Sequence, residues 1–103
     1  STKKNDLKTM QTQAEVLLDI IENSQEELKK IMNEEDISST LSFAKTRLEL
    51  LKELDKEGLE STNGVVTENV LYEKLKQKEQ IAKAQGEELA PELKIMLNGY
   101  KML

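Results

Sequence analysis

Residues 36–59, DISSTLSFAKTRLELLKELDKEGL, decide the fold, because a helix start, a helical period and a helix stop coincide there. On a 3.6-residue wheel Ile37, Leu41, Ala44, Leu48 and Leu51 fall in one arc, with Phe43, Leu50 and Leu54 in a second arc beside it. The two arcs together exceed the ~100° apolar stripe of an ordinary surface helix. Ser38, Ser39, Ser42, Lys45, Thr46, Glu49, Lys52 and Glu53 fill the rest of the wheel. A helix with two apolar arcs is expected to be packed by two neighbours. Asp36 suits its N-cap, and Gly58 suits a left-handed stop, with Lys52 and Lys56 near the negative end of the dipole and Leu59 following.

Upstream, Leu7, Met10, Ala14, Leu17, Ile21, Ser24, Leu28 and Ile31 alternate at spacings of three and four, the a/d pattern of a heptad. This predicts one long helix over about 4–32. Leu18 and Met32 widen the seam, and Val16 and Ile20 begin a second apolar patch. A break at Asn23 competes with continuity, since Ser24 and Glu27 have the S-x-x-E form of a capping box, but the heptad register runs through Ser24 without slipping. Asn33–Asp36 is then a short link that favours an antiparallel hairpin with the 37–57 helix.

Downstream, ESTNGVVT at 60–67 reads as a loop, with Thr67 as an N-cap and Val66 placed to pack on Leu71. The next helix, 67–85, carries Val70, Leu71 and Leu75, then loses its apolar face at Lys78 and Gln85. Gly86 and Pro91 punctuate the chain, and Pro91 suits the first turn of a last helix over 91–102. Leu93, Met96, Leu97, Tyr100 and Leu103 share one face of that segment. The expected fold is a single all-α domain over 1–103: an antiparallel bundle of three main helices and a short C-terminal one, extended or oligomeric.

Composition bounds the function. With no His and no Cys, the commonest general base, the thiolate nucleophile and the usual structural zinc ligands are absent. No cofactor, metal or catalytic residue is expected. The absence of Cys favours an intracellular setting, cytoplasmic or nuclear, over a disulfide-stapled secreted one. No apolar run is long enough for a membrane span, so no membrane partner is expected. The chain carries a net charge of -5, and residues 9–36 hold almost all of the negative excess.

Glu15, Asp19, Glu22 and Glu26 line up on one face, on the solvent side of the first helix. A solvated face is the plain reading, and a docking stripe for a basic partner, as in an acidic inhibitor or immunity-type protein, is the functional alternative. Arg47 falls between the two apolar arcs, where it can extend to solvent or pair with a carboxylate on a neighbouring helix. Lys74, Lys76, Lys78 and Lys83, with Asn69, Gln77 and Gln80, give the 67–85 helix a mildly basic, amide-rich surface for nucleic acid, an alternative that the acidic balance of the chain disfavours.

From Ala44 to Leu93 the order of helix, KEGLESTNGVV turn, helix and ELAP resembles the helix, glycine turn, helix and leucine-glycine-leucine-threonine-proline ending of some phage terminase small subunits. Glu68 and Asn69 stand where that family has Asn-Pro, and Ala90-Pro91 replaces its threonine-proline. The resemblance implies an oligomeric DNA-packaging adaptor. The residues themselves point to a non-enzymatic protein-protein interaction or assembly domain that binds another protein or a second copy through amphipathic faces. Leu7, Met10, Leu93, Met96, Leu97 and Tyr100 are the expected contact residues, because a long first helix overhanging the second would leave its seam uncovered.

Overall fold

A computed structural model describes residues 2–57 and 68–102, with side chains from Leu7 onward. Every regular element among them is helical: α1 (Thr2–Asn23), α2 (Gln25–Leu28), α3 (Glu34–Lys56), α4 (Glu68–Ala84) and α5 (Pro91–Lys101). The expected stop at Gly58 and Leu59, the 60–67 loop with its Thr67 cap and Val66 contact, and Leu103 lie outside the described residues.

The first helix does not run to Met32. It ends at Asn23, and Ser24 takes φ -108 and ψ 13. There the Ser24 amide donates to Ile21 O at 3.3 Å, a tightened turn, and the Gln25 side-chain amide donates to Glu22 O at 3.3 Å. Asn and Ser are weak helix formers, and the break falls where the two stand in succession. The break falls where the S-x-x-E pattern lies, but the Ser24 side chain makes no capping bond. Heptad register survives in the sequence while the backbone ladder does not.

One turn of α2 then carries the chain to Asn33, whose extended backbone (ψ 163) and side chain cap α3: its Oδ1 accepts the Asp36 amide at 2.7 Å. Asn33 therefore has the role expected of Asp36, and α3 begins at Glu34 rather than at residue 37. Glu34, Glu35 and Asp36 occupy the first turn, where the dipole favours them.

α3 is the centre of the packing. It meets α1 on one side and α5 on the other, and α5 in turn meets α4. Of the first arc Ile37, Ala44, Leu48 and Leu51 are buried and Leu41 is half-buried, and Leu50 and Leu54 of the second arc are buried as well. Phe43 departs from that arc's expectation and is 46% exposed, because it stands over an open groove beside α5. The core joins Leu7 and Ala14 to Leu48, Leu50, Leu51, Leu54, Leu71, Leu75, Met96 and Leu97.

α4 contributes only Leu71 and Leu75 to the core, as its fading apolar face implies, and Ile81 is exposed. It stops in a Schellman turn: Gly86 takes φ +73, its amide donates to Lys83 O at 3.0 Å, and the Glu87 amide donates to Ala82 O at 2.8 Å. Pro91 opens α5, as its missing amide permits.

The radius of gyration is 15.1 Å, against about 13 Å for a compact domain of this length. Helices so loosely gathered leave faces uncovered. No described helix is long and apolar enough to cross a membrane.

Candidate functional site

The densest polar cluster sits where α3, α4 and α5 meet. Arg47 lies between two apolar arcs, so its guanidinium can reach a neighbour only at the edge of the core. It donates from Nη2 to Glu68 Oε1 at 2.5 Å, in the first turn of α4. The other carboxylate oxygen accepts the Tyr100 hydroxyl of α5. Tyr100 leans on Tyr72 of α4, ring centroids 6.1 Å apart and planes inclined by 40°, and Lys76 Nζ lies 4.8 Å from the centre of the Tyr72 ring.

Burial alone would raise the Glu68 carboxyl, but the Tyr100 hydrogen bond and the Arg47 guanidinium outweigh it and hold the group below its ordinary value. Burial, and then the carboxylate that accepts its proton, push the Tyr100 phenol well above its ordinary value. The two shifts act together, holding the carboxylate charged and the phenol protonated in one hydrogen bond. This cluster is a clamp across three helices. Among the described residues no group of three or more His, Cys, Asp or Glu is placed to hold a metal ion.

Beside the clamp an open cavity of about 420 Å³ is lined by Phe43, Arg47, Glu68, Met96, Gly99 and Tyr100. A second cavity, of about 310 Å³, lies between α3 and the start of α5 and shares Phe43 with the first. Gly99 leaves room at the rim, since a Cβ there would meet nothing within 4 Å.

Two further ion pairs tie α4 to α3. Lys78 lies 2.9 Å from Glu53, and Lys74 donates to Glu57. Lys76 and Lys83 lie 3.3 and 3.9 Å from Glu73 and Glu79 of their own helix. All four lysines of the basic surface are thus partnered by carboxylates, which offsets much of the charge a phosphate backbone would meet.

The residues expected to touch a partner are placed mostly inside. Leu7, Met96 and Leu97 are buried in the core, and Met10, Leu93 and Tyr100 pack against it half-buried. The overhang that would have freed them is absent, because α1 ends at Asn23 and α5 folds onto α3.

Apolar surface stays open at Phe43 and Ile95 beside the groove between α3 and α5, and as a contiguous group on the outer side of α1. Val16, Leu17 and Ile20 are 52, 52 and 55% exposed. They share one face, since spacings of one and four keep them within about a third of a turn-wheel. Leu17 belongs to the heptad seam by register. With one helix packed on α1 along that stretch, only every seventh residue, Leu7, Ala14 and Ile21, is buried. Ile31 loses its seam position altogether after the break at Ser24 and is 80% exposed.

Glu15, Asp19 and Glu22 are exposed and lie between the buried seam and the Val16/Ile20 face. Glu26 falls beyond the break, in α2, and pairs with Lys29 at 3.2 Å. The stripe is therefore a three-residue flank on α1 and one separate carboxylate. The patch at Val16 and Ile20 was visible in the sequence. The clamp was only half visible, because Arg47 advertised an unmet charge but nothing in local spacing pointed to Tyr100 or Tyr72.

No protein-family model, curated protein or solved structure matches this chain. The likeness of residues 44–93 to terminase small subunits rests on sequence pattern alone.

Proposed function

We propose that this chain is a non-enzymatic helical interaction domain, with α1 and α3 antiparallel, that binds another protein or a second copy of itself through the outer face of α1. The observation that supports this reading is the triplet Val16, Leu17 and Ile20, each more than half exposed on one helix face while the adjacent Ile21 is buried. Single exposed apolar residues need no explanation, but a contiguous group on the outer face of a helix that already has a buried seam does.

The test separates surface from core on neighbouring residues. Ile20→Ser should change stability by no more than about 0.5 kcal/mol, as exposed positions do, and should abolish self-association or capture of a purified partner. Light scattering on the intact chain and denaturant unfolding provide the two readouts. A natural chain that stays monomeric at high concentration, together with partner capture unaffected by Ile20→Ser, would sink the proposal.

A further inference from the structure

Resting on that reading, we propose that the occupant of the α1 face is a cationic amphipathic helix of another protein, its apolar side on Val16, Leu17 and Ile20 and its basic flank along Glu15, Asp19 and Glu22. Charge complementarity selects this occupant. From Thr9 to Leu28 the chain contains no Lys or Arg, so every charge that this stretch of α1 and α2 itself places beside the apolar triplet is negative.

A second copy fits less well for the same reason. A two-fold axis near Leu17 and Leu18 would set Glu15 and Asp19 of one α1 against the acids of the other, and like charges across an interface are costly. A leucine-rich neutral helix would cover the triplet but leave three carboxylates beside it without partners. A helix with lysine or arginine one turn to the side of its apolar stripe answers both features at once, in the helix-against-helix mode of peptide recognition. Phosphate-rich partners are excluded by the sign of the flank.

The experiment uses the intact chain and three synthetic probes: a leucine-lysine peptide patterned as an amphipathic helix, its leucine-glutamate counterpart, and a scrambled leucine-lysine peptide. Only the first should bind, with affinity falling as salt rises. Reversal of the flank by Glu15→Lys, Asp19→Lys and Glu22→Lys together should weaken it by roughly tenfold or more, as should Ile20→Ser. Charge removal away from the face, Glu87→Gln with Glu88→Gln, should leave it unchanged, which separates this site from general attraction to an acidic protein. Circular dichroism on each variant confirms that the helices persist.

Equal binding of the leucine-glutamate probe, or equal loss in the Glu87/Glu88 variant, would overturn the charge-matched site while leaving the interaction reading in place. Self-association of the natural chain that Ile20→Ser abolishes would replace the basic helix with a second copy. Failure of all three probes would overturn the basic-helix occupant, whereas the interaction reading falls only if the chain is also monomeric and its partner capture ignores Ile20→Ser.

Discussion

The two sides of α3 are held in different ways. Towards α1 the contact is an apolar seam of Ile37, Ala44, Leu48 and Leu51 against Leu7, Ala14 and Ile21, and among the described residues no ion pair crosses it. Towards α4 and α5 a narrow apolar centre, Leu50, Leu54, Leu71, Leu75, Met96 and Leu97, is rimmed by Arg47–Glu68, Lys78–Glu53 and Lys74–Glu57. Where the sequence supplies an unbroken period, burial alone can align two helices. Where α4 runs short of apolar residues, charged side chains at the edge set its position. Those pairs are partly solvated, so each adds at most about 1 kcal/mol and acts more on alignment than on stability.

The largest test of this contrast is at the narrow centre. Leu75 is one of two buried residues of α4 and is fully enclosed. Leu75→Ala should cost about 2–5 kcal/mol, measured by urea unfolding, and should release α4 before the α1 and α3 pair in hydrogen exchange. A cost under about 1 kcal/mol would mean that the rim rather than the centre holds α4.

The seam can be broken from the opposite direction. Ala14 and Ala44 are buried small residues on facing helices, and small side chains at a seam let two backbones approach. Ala44→Leu would put three extra heavy atoms into that contact, and overpacking of this kind costs about 1–3 kcal/mol. Exchange protection should fall in α1 and be retained in the α4 and α5 amides. Equal loss on both sides would show that α3 transmits strain across its whole width.

These two sides also differ in how far they could be read from the residues. The α3 arcs and the α1 positions Leu7, Ala14 and Ile21 follow from period alone, since helical geometry converts spacing directly into a face. The end of α1 was legible only as the competing reading, through the S-x-x-E pattern at Ser24 and Glu27, because the heptad that outweighed it records where side chains point and is silent on whether the Ser24 amide keeps its bond to the fourth residue back. That one local event exposed Ile31 and detached Glu26 from the acidic flank. The clamp was hidden for a different reason: Glu68 and Tyr100 are 32 residues apart, and only the tertiary path of α5 brings them together. The candidate surface is intermediate. Val16 and Ile20 stood out by register, but the exposure of Leu17 depended on how many helices pack on α1.

The smallest predicted effect is electrostatic and should be confined to the charged side. Glu68 has a lowered pKa in the folded chain, against an ordinary value of 4.5, so its contribution to stability is fully present above that value and is lost as pH falls through the folded one. Tyr100 has a raised pKa, against an ordinary value of 10.0, so its contribution is present below pH 10.0 and declines as pH rises beyond it. Glu68→Gln removes the carboxylate from both. The stability difference between the natural chain and this variant should therefore be constant between the two limits, shrink on acidification below pH 4.5 and shrink again in alkali. Added salt should reduce it as well, because the Arg47 pair is open to solvent and screened. Ala44→Leu, which touches no charge, should show a difference that varies little across the same range. If the Glu68→Gln difference stayed flat through acid, the carboxylate would not be the element that joins α4 to α3 and α5, and the apolar centre alone would have to account for the position of all three helices.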